Sequence, residues 1–248
     1  MHNAIIVIPA RYESSRLPGK PLVELLGISM LRRTYNRCLQ AFPRERIYVA
    51  TDDQRIFDHC QEANISVLMT SPDCMTGTDR IAEVAEVVEA DTYINVQGDE
   101  PIMNPDDIKK ILDVAKRNPK DVVNGMCAID SEELFYSPTI PKVVARPDGR
   151  LLYMSRAAIP TNKQHEFASA RRQVCIYAFP KAALVEYSSV QTKTPLELIE
   201  DIEILRFLEL GYDVHMVELT ADTISVDVPE DIPRAEEAIR SRGLIDAG

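Results

Sequence analysis

The chain has 248 residues, a formal net charge of −11, 45% hydrophobic and 27% charged residues. These are the proportions of an ordinary soluble protein with room for one large α/β domain. The acidic balance argues against a nucleic-acid binder, which needs a basic footprint. No run approaches the roughly 18 apolar residues of a membrane helix. Five dispersed cysteines form no C-x-x-C pair, so neither a disulfide framework nor a zinc site is expected.

Residues 3–9 (NAIIVIP) are a continuous apolar run, too short and wrongly flanked for a secretory signal. They read as a parallel strand buried on both faces, and the expected location is cytoplasmic. Helical spacing follows over 28–41, then a strand at 47–51, a helix at 53–62 and a strand at 65–69. A loop at 70–77 leads into a helix over 78–88, with Thr78 as its expected cap. A strand at 93–97 precedes a helix over 104–117 that Asn104-Pro105 starts well. This alternation predicts a mostly parallel sheet flanked by helices. The middle differs: 141–146 and 150–155 flank Pro147-Asp148-Gly149 and predict an antiparallel hairpin. Residues 161–172 are polar and read as a loop, 173–179 as a strand, and 195–211 and 229–242 as helices.

Charged and polar residues recur at expected strand ends, where open α/β sheets bind ligands. The segment PARYESSRLPGKPL (9–22) carries Arg11, Arg16 and Lys20, with Ser14, Ser15 and Gly19 between them. Such cations and free backbone N–H groups suit a polyphosphate, although a solvated basic loop would look the same. Neither G-x-x-x-x-G-K-[ST] nor G-x-G-x-x-G is present, which disfavours a P-loop kinase and a Rossmann dehydrogenase. NVQGDEP (95–101) places Asp99 where a carboxylate could hold Mg²⁺ on phosphate oxygens; the competing role is a helix cap. Asp227, in ISVDVPED, is either a second metal ligand or a cap for the last helix. Arg80 in TGTDR suits a base or a phosphate and Arg156 in SRAAIP a substrate carboxylate, although either would equally suit a surface ion pair.

In order, the motifs IPARYESSRLPGKPL, YVATDD, MTGTDRIAE, NVQGDEP, PKVV, YMSRAAIP, IYAF, TPLELIEDIEILR and VDVPEDI span nearly the whole chain. In them the chain resembles the cytidylyltransferases of 3-deoxy-manno-octulosonate (Kdo), which make the CMP-activated sugar of lipopolysaccharide. The resemblance implies a nucleotide-diphospho-sugar transferase fold over 1–248, with 138–190 serving the sugar side and dimerisation. It implies CTP and a small acidic sugar as substrates, Mg²⁺ as cofactor and a homodimer. Carried over by motif, Arg11, Ser14, Ser15, Lys20, Thr78, Arg80 and Gln97 would bind the nucleotide. Asp99 and Asp227 would hold the metal, and these two with Arg11 and Lys20 would be catalytic. Arg156, Gln173, Tyr177 and Glu203 would face the sugar acid. Gln173 and Ile204 depart from the H-x-G-x-Y and Glu-Gln patterns usual in the family, which leaves open a related acceptor: 8-amino-Kdo, another ulosonic acid or a phosphonate. A nucleotide-binding protein without catalysis is the reading of a different class.

Overall fold

The computed structural model describes residues 2–14, 16–221 and 224–245. In chain order the main elements are β1 (Ala4–Ala10), a small β2 (Glu24–Leu25) and β3 (Ile28–Ser29) hairpin, and α1 (Met30–Leu39). Then come β4 (Ile47–Thr51), α2 (Gln54–Glu62), β5 (Val67–Met69), α3 (Gly77–Val87), β6 (Thr92–Val96), α4 (Pro105–Arg117), β7 (Val122–Ala128) and α5 (Glu132–Tyr136). The hairpin β8 (Lys142–Ala145) and β9 (Leu151–Ser155) precedes β10 (Arg171–Pro180), α6 (Lys181–Ser189), α7 (Pro195–Glu200), α8 (Ile204–Glu209), β11 (Val214–Glu218) and α9 (Asp231–Ser241).

The large sheet runs β11-β7-β10-β6-β1-β4-β5, and β8 joins it through β10. β1 is parallel to β4 and β6, β4 to β5, and β11 to β7, while β10 runs antiparallel between β6 and β7. All seven residues of β1 are buried, because its alternating side chains feed two cores. Ile6 and Ile8 meet α1, α2 and α4 through Leu31, Ile56 and Ile108. Ile5 and Val7 share the opposite core with α3, α6 and α8, represented by Ile81, Leu184 and Phe207. A smaller core fastens α9 to the first loop through Leu17, Val226 and Ile239. The parallel strands β1, β4 and β6 thus all end at one sheet edge, and the chain leaves them there into the loops at 11–19, 52–53 and 97–104.

Two expectations are corrected, and two strands appear that no expectation covered. Thr76, not Thr78, caps α3: its hydroxyl accepts from Asp79 N–H while Asp79 accepts from Thr76 N–H. The helix expected over 195–211 is two helices, parted at Asp201, which has φ of 52°. Aspartate tolerates that left-handed conformation better than most residues, so no glycine or proline marks the break. β7 and β11 were not expected at all. Asn124 and Gly125 make β7 a poor strand by propensity, yet both serve its pairing with β10. The Asn124 amide donates to Val174 O and Ile176 O, each at 3.0 Å, across the bulge in β10. A Cβ on Gly125 would lie 2.3 Å from Leu219 Cδ1.

Candidate functional site

The loop after β1 folds back so that Gly19 N–H donates to Tyr12 O at 3.0 Å. Gly19 has φ of 68°, and a Cβ there would meet the Tyr12 ring at 3.1 Å. The same ring carries the Arg55 guanidinium, 3.3 Å from its centroid. Gripped this way, the loop presents Arg11, Ser14, Arg16 and Lys20 to a cleft of about 340 Å³. Ser14 also accepts from Leu17 N–H at 3.3 Å. Ser15 lies outside the described residues.

The turn after β6 faces this loop. Gly98 lets it approach β1, since a Cβ would sit 3.2 Å from Pro9 O. Asp99 O accepts from Val226 N–H at 3.2 Å, which draws the 224–227 segment across the cleft. Asp231 caps that segment by accepting from Asp227 and Val228 N–H at 2.9 and 3.1 Å. Asp227 is thereby freed from capping and points its own carboxylate into the cleft. Lys20 Nζ lies between the two acids, 2.6 Å from Asp99 Oδ2 and 3.2 Å from Asp227 Oδ1. Arg16 reaches Asp227 Oδ1 at 3.0 Å. Burial works against the Lys20 charge, but the two carboxylates outweigh it and hold the pKa above the usual lysine value. Behind Asp99, buried Glu100 accepts from Ser225 at 3.1 Å, and desolvation plus the Asp99 charge pushes its pKa up to about 8.

The opposite wall comes from the start of α3 and from α7 and α8. Gln97 packs on Gly77, where a Cβ would lie 3.2 Å from its amide nitrogen. Arg80 lines the cleft with its guanidinium fixed by Thr70 and by Asp52 Oδ2 at 3.0 Å. Thr78, buried and outside the lining, donates through its N–H and hydroxyl to Glu203 Oε2. Burial pushes the Glu203 carboxyl up, and the Thr78 bonds offset only part of that. Beneath this wall Arg206, fully buried, pairs with both oxygens of Glu197 at 2.6 and 2.7 Å and sits 3.8 Å from the Tyr187 ring centroid. The Tyr187 hydroxyl then contacts Glu197 Oε1 at 3.3 Å and Thr76 Oγ1 at 3.1 Å.

Of the residues expected at the site, the structure brings Arg11, Ser14, Lys20, Arg80, Gln97, Asp99, Glu203 and Asp227 to one cleft. It does not bring Thr78, Arg156, Gln173 or Tyr177 to its lining. The Arg156 guanidinium donates to the carbonyls of Pro138, Thr139, Glu200 and Asp201. Gln173 donates to Asn124 Oδ1 at 2.9 Å and to the hydroxyl of Tyr177, a buried side chain. Ile204 belongs to the core under α8. Lys193, Glu197 and Asp201 also line the cleft and were not foreseen. Asp201 is carried there by the break between α7 and α8, which the helical periodicity concealed.

The cleft therefore offers five cationic side chains, two carboxylates converging on Lys20 and polar walls. The cysteine in its lining, Cys74, donates to Glu83 Oε1 at 3.3 Å, and burial and that glutamate push its pKa up to about 12. A protonated thiol is no nucleophile, and no histidine is among the lining residues. The design suits charge neutralisation and positioning rather than covalent catalysis.

A family model described as Cytidylyltransferase matches residues 5–218. The chain belongs to the cytidylyltransferase family. It is 41% identical over 240 residues to the 3-deoxy-manno-octulosonate cytidylyltransferase of Protochlamydia amoebophila, covering 93% of this chain and 92% of that one. It is 39% identical over 229 residues to the protein of the same name from Escherichia coli, covering 92% and 93%. Among solved structures, CMP:2-keto-3-deoxy-manno-octonic acid synthetase complexed with CTP superposes with a TM-score of 0.90 at 37% identity, covering 97% of this chain and 99% of that one. HddC from Yersinia pseudotuberculosis has a TM-score of 0.70 at 17% identity over 96% of this chain and 99% of its own, a likeness of fold alone. This cytidylyltransferase is thus a nucleotidyltransferase enzyme built on the nucleotide-sugar transferase fold, and among its described residues no helix is long and apolar enough to cross a membrane.

Proposed function

We propose that this chain transfers the cytidylyl group of CTP to Kdo, giving CMP-Kdo and pyrophosphate. The observation that carries the reading is the pair Asp99 and Asp227 converging on one cation beside Arg11 and Arg16, in a chain 41% identical to a protein named for that reaction. The anomeric oxygen of the acceptor attacks the α-phosphorus, a P–O bond forms, and the bond to the leaving pyrophosphate breaks. Arg11 and Lys20 stabilise the charge that collects on pyrophosphate. Gln97 and Arg80, the latter locked by Asp52 and Thr70, hold the nucleoside end. Glu203 faces the acceptor, while Arg156 fastens the 200–201 turn that presents Asp201. Most of the acceleration comes from positioning and neutralisation.

The two aspartates fit Mg²⁺: they already surround one cation, and their oxygen donors suit a hard ion that takes its remaining ligands from phosphate and water. No set of three or more acidic, histidine or cysteine ligands occurs among the described residues, consistent with a metal shared with the nucleotide. Bound there, Mg²⁺ would neutralise phosphate charge and acidify the attacking hydroxyl. Exposed Leu198 and Ile199 on α7 and Leu152 on β9 support a homodimer, which light scattering would test. The reaction is tested by pyrophosphate release from CTP and Mg²⁺ with and without Kdo. Release that depends on Kdo is expected. Saturating Kdo without release, in protein that binds CTP, would remove Kdo as the acceptor.

A further inference from the structure

The position of Lys20 assigns it a second role. We propose that Lys20 is the resident counter-ion of the Asp99–Asp227 pair, and that nucleotide phosphates draw it off before a divalent cation takes its place. The proposal rests on the reading of this cleft as a CTP and Mg²⁺ site.

Lys20 Nζ contacts an oxygen of each acid at 2.6 and 3.2 Å. Its side chain is 18% exposed and that of Asp99 20%, so the pair is poorly screened by water. Arg16, 60% exposed, adds its charge to Asp227 alone. Two carboxylates are thus balanced by two cations, and nothing is left to recruit a free divalent ion. Metal–oxygen bonds of about 2.1 Å to the same oxygens would set the ion against the ammonium, so the two compete for the site. A triphosphate changes the balance. It offers Lys20 and Arg16 a stronger anion, which the flexible four-carbon stem of lysine can reach by rotation, and it leaves the aspartates bare for a cation that the phosphates also ligate. Cation and nucleotide then tighten each other, reciprocally, as linkage requires. The cleft would not fill with metal alone, and its most reactive cation site would open only when substrate is present.

The test is Mn²⁺ binding, followed by the electron paramagnetic resonance of free Mn²⁺, to the full chain with and without α,β-methylene-CTP, which cannot transfer its cytidylyl group. Wild type should bind Mn²⁺ weakly alone and at least tenfold more tightly with the analogue. Lys20→Gln should bind Mn²⁺ at least tenfold more tightly than wild type without nucleotide, and the gain on adding the analogue should shrink by a similar factor. Adding Asp99→Asn to Lys20→Gln should abolish the tight site. Arg16→Gln should have a clearly smaller effect. The proposal is overturned by a Lys20→Gln affinity no better than wild type, or by Arg16→Gln tightening Mn²⁺ as much, which would be the mark of through-space charge alone. It is equally overturned by wild type binding Mn²⁺ as well without the analogue as with it, a result that needs no variant to fold. Failure of the analogue to bind, seen by calorimetry, would instead strike the nucleotide reading, while the nucleotide-free comparison would still judge the counter-ion.

Discussion

Arg206→Met should cost more stability than any single surface change in this protein. The guanidinium is fully buried and donates at 2.6 and 2.7 Å to Glu197, itself 1% exposed. It also donates to Tyr187 O at 3.3 Å and lies over the Tyr187 ring. Methionine fills much of the volume but leaves the Glu197 carboxylate buried, with the Tyr187 hydroxyl and the Thr194 N–H as its remaining donors. Removing one partner of a buried ion pair costs about 3–5 kcal/mol. In a chain of this size that is a fall in melting temperature of about 6–20 °C. Adding Glu197→Gln should recover part of the loss, because a neutral amide is cheaper to bury than an orphaned charge. Thermal melts of wild type, the single and the double variant read this directly. A loss below about 1 kcal/mol for Arg206→Met, the range of exposed pairs, would refute the reasoning, as would a double variant no more stable than the single one. Because Tyr187 links this pair to Thr76 in the cleft wall, the folded single variant should also show a raised KM for CTP.

Gly125→Ala drives a Cβ to 2.3 Å from Leu219 Cδ1 and 3.2 Å from Val174 O, and overpacking of this kind should cost about 1–3 kcal/mol in urea unfolding. Gly19→Ala forces a side chain into a φ of 68° and against the Tyr12 ring; about 1–2 kcal/mol of strain, if relieved by shifting Lys20, lowers kcat/KM for CTP by about five- to thirtyfold. Burial disfavours the Glu200 charge, but Ser155, Arg156 N–H and Tyr153 hold its pKa below the ordinary 4.5. Its stabilisation is therefore present above that value and is lost as pH falls through the lowered one, so wild type should exceed Glu200→Gln in stability at pH 6 and the two should converge on strong acidification.

Much of the fold was legible because its signals are local. The apolar run of β1, the Asn104-Pro105 start of α4 and the Pro147-Asp148-Gly149 turn each declare an element without reference to the rest of the chain. What escaped depends on distant partners. β7 looks unlike a strand until Asn124 is seen spanning the β10 bulge and Gly125 is seen making room for Leu219. The break at Asp201 carries no punctuation in the sequence. That the 9–22 loop and the two aspartates share a cleft was readable because such residues stand at the ends of apolar strands. The sugar-side group was not: the Arg156 guanidinium is spent on four carbonyls and Gln173 on Asn124 and Tyr177. Their spacing in the chain cannot distinguish a residue that lines a wall from one that braces it. Asp52 and Tyr187 escaped for the same reason, since each acts through another side chain.

The central claim is transfer of the cytidylyl group to the sugar acid, and the most direct measurement follows the α-phosphorus of CTP by ³¹P NMR in the presence of Kdo and Mg²⁺. The account predicts one new phosphodiester resonance growing in step with pyrophosphate, with the same conversion cut by orders of magnitude in Asp99→Asn protein that remains folded. Free CMP or CDP in place of the diester, or an Asp99→Asn variant that turns over near the wild-type rate, would contradict it.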